Sequence, residues 1–141
     1  MVRVLLDTCV LSELQRPHGA SRVRARVEEI DAAHVFLSVV SFGEIIKGVA
    51  LLEPGARKRQ LEAWLLGLEQ RYEAHLLAID AETARLWGEI TARAQRNGAI
   101  VPATDGLIAA TALRHGLHVM TRNTRHFAAT GVAVIDPWED S

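Results

Sequence analysis

Cysteine is nearly missing from this chain. Cys9 is the only one in 141 residues, so no disulfide can form within the chain, and a reducing compartment is the expected setting. An excess of charge of one sign is missing too. Sixteen basic residues against 17 acidic ones leave a formal net charge of −1, which counts against a broad nucleic-acid surface but not against a local one. Long hydrophobic runs are also absent. The first apolar run is broken at Asp7 and again at Glu13, too early for a secretory signal. The later stretches 35–42 and 99–113 are short or carry a carboxylate, so no bilayer span is expected. Repeats, linkers and low-complexity tracts are lacking. The remainder, 49% hydrophobic and 23% charged, is ordinary globular composition, long enough for one core. One domain over residues 1–141 is expected, soluble and cytoplasmic.

The chain is organised around its first stretch, V-R-V-L-L-D-T at 2–8. Val4, Leu5 and Leu6 make a short apolar run of the kind found in a central parallel strand buried on both faces. Asp7 then falls at the strand's carboxyl end, where open α/β sheets place their ligands. Helices are expected over Cys9–Arg16, over Arg22–Ala32 capped by Ser21, and from Ser41 onward, where Glu44 completes a capping-box spacing. Pro54-Gly55 precedes a long amphipathic helix, Ala56–Tyr72, with Leu61, Leu65 and Leu68 on one stripe. Asp80 caps a helix to about Arg96, and a further helix spans Ala103–His115, ended by Gly116. Strands are expected at Val35–Ser38, His75–Ile79, Leu117–Thr121 and Val132–Ile135, with a single helical turn over Asn123–Ala128. The alternation predicts an α/β fold with a central parallel sheet of four to five strands and helices on both faces.

Four segments place an oxygen-bearing side chain where a strand ends or a helix begins: Asp7, Glu44, Asp105 and Asn123. Carboxylates among apolar neighbours are costly unless paired, hydrogen-bonded or neutralised by a cation. Three acids without an evident basic partner suggest a bound cation, and all-oxygen donors suit Mg²⁺ or Mn²⁺ rather than zinc. Such a cluster serves to activate water and to clamp phosphate oxygens during hydrolysis. Each residue also has a local use. Asp7 and Asn123 suit helix caps, Glu44 suits a capping box with Ser41, and Asp105 suits the dipole of the helix it opens.

The motifs L-L-D-T-C-V-L at 5–11, S-V-V-S-F-G-E-I at 38–45, D-G-L-I-A-A-T-A at 105–112 and T-R-N-T-R-H-F at 121–127 carry a resemblance. In this order and spacing, over essentially the whole chain, they resemble the PIN-domain ribonucleases, and more narrowly the VapC toxins of toxin–antitoxin pairs. The resemblance implies a metal-dependent endoribonuclease using Mg²⁺ or Mn²⁺ held by Asp7, Glu44 and Asp105. The fourth position, often Asp in that family, is Asn123 here, which adds no charge and bears on a second ion. Where many relatives have an acid before the last Phe, this chain has His126, read here as mainly structural. Thr8 and Ser41 resemble hydroxyls that support the acids. The resemblance also implies an RNA substrate, a cognate VapB-type antitoxin, a homodimer, and operator DNA reached only through the antitoxin complex. The helices at 56–72 and 81–96 are the expected partner surfaces.

Lys47, Arg122 and Arg125 are candidates for holding an RNA backbone, or ordinary surface charges. His115 and His118 flank Gly116 and make a poor zinc pair. Cys9 is expected in the core rather than as a nucleophile, and Trp64 and Trp87 in packing or dimer contacts; Trp138 is open to either use. The principal alternative is a catalytically inactive PIN-like binding module. A receiver-type phosphoacceptor would want paired acids early in the chain, and a haloacid-dehalogenase-like phosphatase would want Asp-x-Asp, where position 9 is Cys.

Overall fold

The computed structural model describes residues 1–139; the last two residues of the expected 1–141 domain lie outside the described residues. Five parallel strands form one sheet in the order β3-β2-β1-β4-β5. They are β1 (Val4–Leu6), β2 (Val35–Ser38), β3 (Leu76–Leu77), β4 (His118–Met120) and β5 (Val134–Ile135). The apolar run at 4–6 is indeed central, because β1 pairs with β2 on one side and β4 on the other. Leu6 stands opposite both Leu37 and Met120, so the next residues, Asp7, Ser38 and Thr121, come out level at the carboxyl crest of the sheet.

Side-chain alternation divides the core. Val4, Leu6, Val35, Leu37 and Met120 face one layer, covered by α1 (Thr8–Gln15), α2 (Ser21–Glu28), α3 (Val39–Ala50) and α4 (Ala56–Arg71). Leu5 and Val119 face the other, where α6 (Ala103–His115) and α7 (Thr124–Phe127) contribute Ile108, Ala109, Ala112 and Phe127. The outer helix α5 (Ala81–Arg96) packs on α6. Helix α6 is apolar nearly all round because it is buried nearly all round, from Gly106 through Ala112. Among the described residues no helix is long and apolar enough to cross a membrane.

Several boundaries differ from expectation. Ser38 caps α3 by accepting from the Val40 N–H at 3.0 Å, so the helix starts before Ser41 and the Ser41–Glu44 capping box does not form. Ser41 is instead buried within the helix, its hydroxyl without a partner among the described residues. Helix α2 ends at Glu28, and Ala32–His34 forms a separate 3₁₀ turn capped by Asp31. The edge strand β3 is only Leu76–Leu77, because Glu73–His75 curls into another 3₁₀ turn. On α4 only Leu68 of the leucine stripe is fully buried, while Leu61 and Leu65 are partly so and Leu66 is exposed.

Candidate active site

Asp7 is the best-held carboxylate in the chain. It caps α1 and is only 4% exposed. Its Oδ1 accepts from the Thr8 N–H at 2.8 Å, and its Oδ2 accepts from the Thr121 hydroxyl at 2.8 Å. Its own N–H continues the ladder to the Met120 carbonyl at 2.9 Å. Thr121, fully buried, also accepts from the Asn123 N–H at 3.0 Å. One hydroxyl therefore ties the end of β4 to the acid at the end of β1. Sequence reading missed Thr121, although its position just past β4 mirrors that of Asp7 past β1.

Glu44 reaches the same place from α3. Its Oε1 accepts from the Thr8 hydroxyl at 2.6 Å, so Thr8 donates to both acids, to Asp7 by its N–H and to Glu44 by its hydroxyl. Glu44 is exposed rather than buried, which corrects the expectation that its apolar neighbours enclose it. Ile45 and Val49 turn inward, whereas Glu44 and Ile46 turn outward.

Asp105 is the third residue of α6, whose amino end has no side-chain cap. Its side chain is 15% exposed, and its Oδ2 lies 3.2 Å from Nδ1 of His126, itself 52% exposed. Burial pushes the Asp105 carboxyl above the usual aspartate range, and the negative charges of Asp7 and Glu44 push it further in the same direction, while His126 opposes them. The charges of Asp7 and Glu44 therefore reach Asp105. His126, expected to be mainly structural, sets its imidazole against Asp105; its spacing from Asn123, one helical turn, is the signal that places it on the same side of α7. Asn123 precedes α7, and its side chain makes no hydrogen bond among the described residues.

Cys9 sits between these groups rather than in the core alone. Its Sγ accepts from the Arg122 N–H at 3.4 Å and lies 3.6 Å from the Thr121 hydroxyl. Burial pushes the thiol up, with Asp7 adding to the effect and hydrogen bonds opposing it, which keeps it protonated and unsuited to nucleophilic attack. Ser41, expected to support the acids, gives them no hydrogen bond.

The donor set fits a hard divalent ion: three carboxylates, with one imidazole against Asp105 alone. Among the described residues no three His, Cys, Asp or Glu side chains converge as a ready cage. That is the situation Mg²⁺ tolerates, since it keeps several waters and takes only one or two carboxylates alongside substrate phosphates. Beside the acids, a groove of about 230 Å³ runs from Thr8 and Glu44 between α1, α3 and α4 to Leu61 and Trp64.

Known proteins are similar to this chain in sequence and fold. The family model described as "PIN domain" matches residues 4–132. Toxin FitB of Neisseria gonorrhoeae is 39% identical over 141 residues, covering 97% of this chain and 99% of that protein. The VapC ribonuclease Y4jK of Sinorhizobium fredii is 32% identical, covering 96% of this chain and 98% of its own length. A solved structure of FitAB bound to a DNA fragment superposes with a TM-score of 0.93 at 36% identity, covering 98% of this chain and 97% of that one. With its acids set along the carboxyl crest of a five-stranded parallel sheet, the chain belongs to the PIN-domain family.

Proposed function

We propose that this chain is a metal-dependent endoribonuclease toxin of the VapC type, hydrolysing phosphodiester bonds in cellular RNA and neutralised by a cognate antitoxin. The observation that carries this reading is that Thr8 holds Asp7 through its N–H and Glu44 through its hydroxyl, with Asp105 close enough for both charges to raise its carboxyl. Relatives named as a toxin and as a ribonuclease, similar over nearly their full length, support it. Asp7, Glu44 and Asp105 would hold Mg²⁺ or Mn²⁺, with Asn123 at the edge of the set. When bound, the ion supplies Lewis acidity to the phosphate oxygens and to an attacking water. Thr121 and the Thr8 N–H fix both oxygens of Asp7 before substrate arrives, and the Thr8 hydroxyl orients Glu44 while leaving its second oxygen open. A carboxylate of this cluster takes the proton of the attacking water, so no protein nucleophile is required.

The groove that starts at Glu44 suits an antitoxin segment, whose own cation would cover the acids. The same reading includes a homodimer, a cytoplasmic location and operator DNA engaged through the antitoxin. Purified protein incubated with total cellular RNA should give discrete fragments with Mg²⁺ or Mn²⁺, and none with EDTA or with Asp7→Asn. Equal behaviour of wild type and Asp7→Asn would overturn the reading in favour of the inactive PIN-like binding module.

A further inference from the structure

Next to the acid cluster the chain builds a second feature that hydrolysis itself does not use. The guanidinium of Arg122 lies over the ring of Trp138, 5.1 Å from Cζ to the ring centroid, within cation–π range. Both partners are anchored. Arg122 donates its N–H to Cys9 Sγ and follows directly on Thr121, whose hydroxyl holds Asp7. Trp138 comes three residues after β5, where Ile135 stands opposite Met120, so the tail leaves the sheet at the same crest. There the Trp138 N–H donates to Asp136 Oδ1 at 2.9 Å, and Pro137 is buried. Arg22 and Arg26 of α2 donate to the carbonyls of Trp138 and Glu139 at 2.9 and 3.3 Å. One side of the indole packs against the core, and the guanidinium covers it from outside.

Arg122 is exposed and has no carboxylate partner among the described residues, nor has Arg125 three residues on. A cation held over an aromatic ring, without an acid among the described residues to neutralise it, one residue from the Asp7–Thr121 link, is preorganised for an anion with a planar part. Nucleotides are such ligands: a phosphate takes the guanidinium's forked donors, and an unstacked base lies on its open plane. We propose that Arg122, backed by Trp138, seats an unpaired nucleotide of the RNA beside the acid cluster. This rests on the ribonuclease reading above. Arg122 is the contacting residue, and Trp138 is a positioning residue that acts through it. Immobilising the arginine beforehand reduces the ordering cost that binding would otherwise carry.

The test measures binding of a labelled single-stranded RNA by fluorescence anisotropy in the Asp7→Asn background, with cleavage by the Asp7-intact chain run alongside. Arg122→Ala should weaken binding about tenfold and lower the slope of log K against log salt by about 1. Arg122→Lys keeps the charge but loses the plane, and should still weaken binding several-fold with the slope nearly unchanged. Trp138→Phe, which keeps an aromatic against the core, should weaken binding several-fold at an unaltered melting temperature. Arg93→Ala on the far part of α5 removes the same charge and should change neither. In the Asp7-intact protein the Arg122 and Trp138 variants should raise KM and leave kcat within about twofold. Lysine as good as arginine, or Trp138→Phe without effect on binding, overturns the platform while cleavage leaves the ribonuclease reading standing. Absence of both binding and cleavage in the parent overturns both.

Discussion

The amino ends of α5 and α6 belong to two helices packed on each other, and each carries an aspartate in or just before its first turn. The two acids behave in opposite ways. Asp80 caps α5, and its Oδ1 accepts from the Thr83 N–H at 2.8 Å and from the Thr83 hydroxyl at 2.7 Å. Those bonds, chiefly the N–H, hold its carboxyl below the usual aspartate range, and Arg114 at 3.9 Å adds to the effect. Asp105 is the third residue of α6, takes nothing from its own helix by way of a cap, and is raised by burial, Asp7 and Glu44. Asp80 is bonded by its own helix through Oδ1, whereas Asp105 is pressed by other acids. The location at a helix start is common to both, and only the surroundings separate them.

The largest break in this comparison is Asp105→Asn. It should lower RNA cleavage at least about 100-fold, since a carboxylate of the proposed ion-holding set is lost. In metal-free protein it should also raise the melting temperature, by roughly 2 °C. The sign follows from linkage: a carboxyl raised on folding binds its proton more tightly in the folded state, so stability falls as pH rises through the window between its ordinary and raised values. At neutral pH the ionised aspartate carries that deficit and asparagine does not. Calorimetry with EDTA checks it, and a lower melting temperature would mean that the His126 contact outweighs the repulsion.

Next in size is Gly106→Ala, which acts where the two helices touch. A Cβ at this buried residue would come 2.9 Å from Trp87 Nε1 and 3.0 Å from its Cδ1, so the indole must shift, and its N–H is already buried without a partner. A loss of about 1–3 kcal/mol is expected from such overpacking, read as a lower urea midpoint at constant slope. Because Asp105 is the preceding residue, activity should fall as well, unlike for Asp80 variants.

Much of this was legible in the sequence. The apolar run at 4–6 announced the central strand, the alternation of elements announced the parallel sheet, and the motif positions singled out Asp7 and Glu44, whose charges reach Asp105. What the sequence hid was set by three-dimensional neighbours. The hydroxyl of Ser41 has the spacing of a cap, but Ser38, at the end of β2, takes that part because the strand delivers it level with Asp7. The exposure of Glu44 depends on which side of α3 meets the core, and the mixed periodicity at 44–51 does not decide it. Thr121 and His126 act on residues 114 and 21 positions away, separations at which periodicity carries no information.

Thr8→Val gives a smaller, sharper effect. It removes the 2.6 Å bond to Glu44 while sparing the N–H that caps Asp7. Loss of a group that orients a metal-holding carboxylate costs on the order of tenfold in metal affinity or activity, and the methyl of valine should keep the fold. Titration of Mn²⁺ into wild type and variant, followed by kcat, measures it; unchanged affinity would show that Glu44 needs no such support.

The smallest expected effect lies at the other helix. Asp80→Ala removes the cap of α5 but touches none of the acids at the crest, so cleavage should stay as it is while the melting temperature at neutral pH drops by roughly 2–5 °C. The drop should be pH-dependent in a stated direction. A carboxyl held low on folding contributes stability above its ordinary range, and that contribution disappears as pH falls through the depressed value. Wild type and Asp80→Ala should therefore differ at neutral pH and converge in strong acid, whereas Asp105→Asn should gain on wild type as pH rises. Two aspartates at the starts of adjoining helices would then show opposite signs in one pH series, because one is satisfied by Thr83 and the other is opposed by Asp7 and Glu44.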